Sequence, residues 1–253
     1  MITLFIFIFG LIFGSFLNVL IIRLPQNKSI IPSSSCTSCD TKINWYDNIP
    51  LISYLLLKAK CRNCKQPINI MYPFVELLTA CITLLLFWKL SYSIEFFQMC
   101  IIFYCLIVLS FIDLKYKAVP DYLLLIILLM SIFIYPFDLS HLQNAMLFAG
   151  GFVLLNFIVT FYIQNIKSKI TNDTHLKTQE ALGEGDIPIV ASIAAILGVT
   201  SSLIAIFLAA LFALIPSIYN SIVKKDIQTP FIPFLALGFS VEYLFNISSW
   251  FII

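Results

Sequence analysis

Phe96–Asp113 reads FFQMCIIFYCLIVLSFID. Nothing in it is charged until its last residue, and a helix needs about 20 apolar residues to cross the hydrocarbon core of a bilayer. The same texture recurs outward along the chain at roughly 2–22, 71–90, 119–137, 144–164, 187–199, 200–222 and 231–253. Of the 253 residues, 60% are hydrophobic, 24 are Phe and only 11% are charged, where soluble domains carry about 25% charge. The expected fold class is an all-α polytopic integral membrane protein with about eight transmembrane helices. Thr200-Ser201-Ser202 is the expected turn between the short sixth segment and the seventh. Seven spans with a re-entrant piece is the alternative.

The basic residues sort onto one side of this scheme. Arg23, Lys28, Lys42, Lys58, Lys60, Arg62 and Lys65 lie in the loop 23–70. Lys115 and Lys117, then Lys167, Lys169 and Lys177, then Lys224 and Lys225 occupy alternate later loops, and only Lys89 falls on the other side. The positive-inside rule makes the basic loops cytoplasmic and puts both termini outside. No Lys or Arg precedes the first apolar run, so an uncleaved first span is expected rather than a signal peptide. Three regions follow: a first transmembrane helix over 1–22, a loop domain over 23–70 and a membrane domain over 71–253.

The loop carries Cys36, Cys39, Cys61 and Cys64 as two C-x2-C pairs. Paired knuckles at this spacing suit tetrahedral thiolate coordination of zinc. A reducing cytoplasmic setting disfavours disulfides. A four-thiolate site is closed, so its expected role is structural: it folds a small loop domain that has no core of its own. Cys81, Cys100 and Cys105 lie in apolar segments without such spacing and read as packing residues.

The remaining chemistry rests on carboxylates. His141 and His175 accompany no recognisable serine or cysteine nucleophile, and no H-E-x-x-H motif, Gly-rich phosphate loop or aromatic-basic surface for nucleic acid is present. Asp113 ends an apolar segment, where the helix dipole disfavours a negative charge. Asp186 follows Gly183 and Gly185, where a charged loop turns into an apolar run, and glycines there let a backbone come close. An ionisable residue at a bilayer boundary is a functional hypothesis by default. Two nearby aspartates share a proton, so one can act as base on a water and the other as acid. Asp121 follows Pro120 and reads first as a helix-start residue complementing the dipole. Glu76, inside the second segment, reads either as a structural partner or as part of a second site. Glu242, in the last segment, has no sequence-level account.

These residues resemble the bifunctional type IV prepilin peptidases and N-methyltransferases. The resemblance runs through Gly14-Ser15-Phe16-Leu17-Asn18-Val19, Arg23-Leu24-Pro25, the two C-x2-C pairs flanking Asn48-Ile49-Pro50, and Tyr72-Pro73 with Glu76-Leu77-Leu78-Thr79-Ala80. It continues through Ile112-Asp113 with Pro120-Asp121, and through Gly183-x-Gly185-Asp186. It implies an aspartic peptidase of the bacterial inner membrane, with Asp113 and Asp186 catalytic and Gly183 and Gly185 supporting the second motif. Its substrates would be type IV prepilins or pseudopilins, cleaved on the cytoplasmic side and then methylated at the new N-terminus with S-adenosylmethionine. Two positions depart from the family pattern: Pro188 stands where a lysine is frequent, and Pro230-Phe231-Ile232-Pro233 replaces Pro-Phe-Gly-Pro. Two other readings fit some of the residues, a presenilin-like G-x-G-D intramembrane protease and a non-catalytic transporter or assembly scaffold. Transporters usually carry internal repeats, and none is visible at this level. Oligomeric state is left open by the sequence.

Overall fold

The computed structural model describes residues 1–31, 34–171, 183–219 and 229–251, and the chain divides into two units, Met1–Pro120 and Asp121–Ile253. The polar stretch around His175 and the basic Lys177, Lys224 and Lys225 lie outside the described residues.

Unit 1 is built on three long apolar helices: α1 (Ile2–Arg23), then α3 (Met71–Leu90) and α4 (Ile94–Tyr116), with the short α2 (Ile52–Leu56) in the intervening loop. α1 ends in a 3-10 turn over Leu24–Gln26 that holds Pro25, and Asn27 then takes the left-handed region at φ 53°. The closest packing joins α1 to α3. A Cβ on Gly10 would lie 2.6 Å from the Ala80 Cα, and one on Gly14 would lie 2.6 Å from the Glu76 Cα. This is a small-x3-small seam, which lets backbones approach where no hydrophobic effect drives helices together. α4 starts on Ser93, whose hydroxyl accepts the Phe96 amide at 3.1 Å, as an N-cap does. The buried Thr83 hydroxyl joins α3 to the Tyr104 hydroxyl of α4 at 2.7 Å.

Unit 2 contains α5 (Asp121–Ile132), α6 (Leu139–Phe161), α7 (Ser168–Thr171), α8 (Asp186–Tyr219), α9 (Ile232–Phe245) and α10 (Ser248–Phe251). α8 is its centre, and α5, α6 and α9 each pack against it. Its inner face is small: Ala191, Ala194, Ala195, Ala205 and Ala209 are buried. α6 shows the opposite character, with Leu147, Leu154, Phe157 and Ile158 exposed. A run of exposed apolar side chains on a long helix is suited to lipid.

Among the described residues five helices are long and apolar enough to cross a membrane, and α5 and α9 are shorter apolar helices. α8 resolves the expected break between the sixth and seventh segments. Its backbone leaves the helix at Gly198, with φ 75° and ψ −179°, a region that essentially only glycine occupies. Ser202 Oγ donates to the Ile193 carbonyl at 3.3 Å. Nine residues of straight helix would rise about 13.5 Å, so the axis bends sharply at Gly198. The break thus falls two positions before the expected Thr200-Ser201-Ser202, which is itself helical. The last apolar segment also ends early, at Phe245, where Asn246 takes a left-handed φ of 48°.

Candidate functional site

The two C-x2-C knuckles of unit 1 repeat one backbone design. The Cys36 amide donates to the Thr41 carbonyl at 3.0 Å, and the Cys61 amide donates to the Gln66 carbonyl at 2.9 Å. The Asp40 and Lys65 amides return to the Cys36 and Cys61 carbonyls at 2.9 and 3.1 Å. Asp40 and Lys65 both take left-handed φ, 53° and 61°. Outside each turn, the Ile43 amide meets the Ser34 carbonyl at 2.8 Å and the Ile68 amide meets the Ala59 carbonyl at 2.7 Å. A signal for this repeat stood in the sequence: C-x2-C-x3-Ile-Asn occurs at Cys36–Asn44 and again at Cys61–Asn69.

The turns bring Cys36, Cys39, Cys61 and Cys64 together, with all four sulfurs within 4.8 Å of one another. Zn–S bonds near 2.3 Å in a tetrahedron put sulfurs about 3.8 Å apart, and Cys36 Sγ lies 3.9 Å from Cys64 Sγ. The donor set and spacing therefore fit zinc. The sulfurs do not ionise alike. The Thr41 hydroxyl and then its amide hold Cys39 down to about 6, and the Cys64 and Asn63 amides hold Cys61 down. The Gln66 amide also favours the Cys64 thiolate, but burial and the neighbouring sulfurs outweigh it and leave Cys64 at about 11. Four thiolates this close repel one another, which is the charge problem a divalent cation solves.

A bidentate ion pair braces the loop. Arg62, between the cysteines of the second knuckle, donates to both Asp47 carboxylate oxygens, at 2.8 and 2.6 Å. That hydrogen bonding holds the Asp47 carboxyl below the usual carboxylate range. The guanidinium also lies 5.5 Å from the centre of the Tyr46 ring.

Glu76 reaches the loop through a hydrogen bond. It is buried on α3, and its Oε2 accepts the Leu51 amide at 2.9 Å. Leu51 sits at φ 58° and ψ −46°, an outlying conformation for a bulky residue. One turn before Glu76, the Tyr72 carbonyl accepts the Nδ2 of buried Asn18 at 3.0 Å. Leu51 and Asn18 had no assigned role from the sequence, because neither local pattern nor spacing points to such a contact.

Asp113 lies in the last turn of α4 and is buried. Its carbonyl accepts the Lys117 amide at 2.9 Å, and Lys117 ends the helix in the left-handed region at φ 52°. Asp186 is buried as the first residue of α8, its amide donating to the Gly183 carbonyl at 3.1 Å. A Cβ on Gly183 would lie 3.3 Å from Asp186 Oδ2, so the bare glycine leaves room for that carboxylate. Glu184 and Gly185 form the turn between them, and Pro188 falls in the first helical turn. Asp121 is the exposed first residue of α5, as a dipole-complementing helix-start residue would be.

Two other polar residues are structural. Both Glu242 oxygens accept the Ser248 amide, at 3.3 and 3.1 Å, where the chain enters α10. His141 Nδ1 lies 2.7 Å from the Ala195 carbonyl, just before the break in α8.

Residues 8–90 match the bacterial peptidase A24 N-terminal domain, and residues 100–218 match the type IV leader peptidase family. The first region holds Glu76 and the four cysteines, and the second holds Asp113 and Asp186. The prepilin leader peptidase/N-methyltransferase of Myxococcus xanthus is 35% identical over 196 residues, which cover 76% of this chain and 55% of that one. The Vibrio cholerae protein of the same name is 34% identical over 202 residues, 76% of each chain. The Bacillus subtilis protein of that name is 30% identical over 248 residues, 95% of this chain and 93% of that one. No solved structure matches this chain significantly. With long apolar helices in both units, this multi-pass membrane protein belongs to the type IV leader peptidase family.

Proposed function

We propose that the protein cleaves the leader of type IV prepilins or pseudopilins at the cytoplasmic face of the bacterial inner membrane, and then methylates the new N-terminal amine. Asp113 and Asp186 are the catalytic carboxylates. The observation that carries this reading is that each is buried at a helix terminus, Asp113 in the last turn of α4 and Asp186 at the start of α8. An aspartic peptidase needs one ionised carboxylate to take a proton from water and one protonated carboxyl to donate to the leaving amine. Asp186 carries its negative charge at a helix N-terminus, where the dipole favours it, and Asp113 carries one near a C-terminus, where the dipole opposes it. One of the pair serves as the ionised base and the other as the proton-bearing acid. Gly183 and Gly185 shape the turn that presents Asp186.

A prepilin offers a basic leader followed by an apolar helix. The apolar helix lies in the bilayer and the leader stays in the cytoplasm, so the scissile bond falls at the level of the membrane surface. The first helix (1–22) and the zinc-bearing loop domain (23–70) precede the peptidase domain (71–253). Cys36, Cys39, Cys61 and Cys64 would hold zinc, which would serve to fold the loop and not to hydrolyse the leader. S-adenosylmethionine, when bound, supplies the methyl group.

The test uses purified full-length protein in detergent with an intact prepilin, read by intact mass. Loss of the leader, followed by a methyl-sized gain when S-adenosylmethionine is present, is the expected result. A folded wild-type protein that leaves several prepilins intact would overturn the peptidase reading.

A further inference from the structure

The short α2 turns its largest apolar side chains outward. Ile52, Leu55 and Leu56 are exposed, the last two by 73% and 77%. Positions i, i+3 and i+4 share one face of a helix, so the three form a single apolar ridge. Ser53 and Tyr54, off that face, are half-buried. The chain then becomes basic. Lys58 and Lys60 follow α2, and with Lys65 of the second knuckle they line an open cleft of about 310 Å³ beside Leu56 and Leu57. All three lysines are exposed. Arg62 lines the cleft too, but its guanidinium is engaged by Asp47. No lining residue carries a carboxylate.

The level of α2 follows from its tether. The Leu51 amide, immediately before α2, donates to Glu76 of α3 at 2.9 Å. Gly14 faces Glu76 and Gly10 faces Ala80, so α1 and α3 run antiparallel. Gly14 lies nine residues inside the Arg23 end of α1, about 13.5 Å along the axis. Ile12, Phe13 and Phe16, around it, are exposed apolar residues. α2 is therefore held beside the ends of two apolar spans and does not stand off on a stalk.

We propose that α2 lies on the membrane surface, with Ile52, Leu55 and Leu56 in the acyl boundary and Lys58, Lys60 and Lys65 on the phosphates of acidic phospholipids. An apolar face bordered by cations is the pattern of an element that lies in the interface plane. Lysine stems run along apolar surface while their ammonium groups reach the headgroups, and each one adds to the attraction of an anionic leaflet. Other occupants fit less well. A second copy related by a two-fold axis would bring its own lysines to the same patch, and like charges there repel. The basic leader of the substrate proposed above would meet the same repulsion. The docked loop is fixed twice, through Leu51 to α3 and through its lysines to lipid, so its seating on the bilayer depends on lipid charge.

The experiment follows amide hydrogen exchange over 51–60 in full-length protein, held as single copies in nanodiscs of phosphatidylcholine with or without phosphatidylglycerol. Phosphatidylglycerol slows exchange about tenfold or more. Lys58→Gln, Lys60→Gln and Lys65→Gln together abolish that difference. Leu55→Gln with Leu56→Gln speeds exchange in both lipids. Glutamine is close to leucine and lysine in helix propensity, so faster exchange reports lost docking and not a weaker helix. Metal content, measured on each sample, reports that the loop is folded. Exchange indifferent to lipid charge overturns the proposal, as does wild-type exchange in the leucine variant. Inorganic phosphate that reproduces the slowing in phosphatidylcholine discs would make the cleft a site for a free anion and overturn it too. Protection that appears only in discs loaded with two copies would make the ridge a dimer contact, with the same result.

Discussion

Asp113 and Asp186 are both buried but differ in their position along a helix. Asp113→Asn and Asp186→Asn each remove one ionisable oxygen and keep the shape. Each variant is expected to lose leader cleavage by about 10²–10⁴-fold or more while retaining the wild-type helical signal and melting profile. Retained cleavage in either variant would remove that residue from the chemistry. Gly14 is set by space instead. A branched side chain there drives into the Glu76 backbone, 2.6 Å from the nearest atom, and backbone cannot move aside as a flexible side-chain tip can. Gly14→Val is expected to cost about 1–3 kcal/mol, read as a lower thermal midpoint in detergent. An unchanged midpoint would mean that α1 and α3 do not pack as closely as described.

Two elements owe their shape to a few backbone positions. The knuckles place four sulfurs by repeating one turn, and neither turn has an apolar core beneath it. Replacing Cys36 and Cys39 by Ser is expected to take the metal content from about one per chain to near none and to raise amide exchange across 34–69. Metal content unchanged by both substitutions would reject the four-thiolate site. α8 depends on Gly198. Its φ of 75° with ψ −179° is open to glycine and strained for any residue with a Cβ, at about 1–3 kcal/mol. The carbonyls near the break are provided for: Ser202 Oγ donates to Gly198 O at 2.5 Å, and the His141 ring reaches Ala195 O. A bent helix at membrane depth needs such partners, because lipid offers none. Gly198→Ala should therefore lower the melting midpoint, whereas Gly150→Ala, on the open face of α6 with nothing within 4 Å of the added Cβ, should leave it unchanged or slightly raised. Equal effects at the two positions would argue against a backbone break.

For the molecule as a whole, the distribution of charge predicts its orientation. Lys115 lies in the last turn of α4 and Lys117 follows it, whereas α3 ends on Lys89 alone, so the positive-inside rule predicts the loop after α4 in the cytoplasm and the loop after α3 outside. Alkaline phosphatase fused after Ser91 is expected to be active in cells, and fused after Lys117 inactive. The reverse pattern would put Asp113 on the wrong face for a cytoplasmic leader. Exposed apolar rows such as Leu147, Leu154 and Phe157 on α6 provide the surface that lipid covers.

What the sequence determined by itself was whatever depends on neighbours along the chain. Apolar runs long enough to cross a bilayer, the paired C-x2-C spacing and aspartates at the edges of apolar runs are all local patterns, and the helices and the sulfur cluster appear where those patterns place them. The break in α8 was legible as a region but not as a residue, because polar Thr200-Ser201-Ser202 looks more turn-like than a lone Gly198. Tertiary structure alone decided the partners of the buried polar groups. Glu76 meets the Leu51 amide 25 positions away, and His141 meets Ala195 O 54 positions away. Such contacts follow from which helix faces pack together, and a one-dimensional pattern carries no record of that.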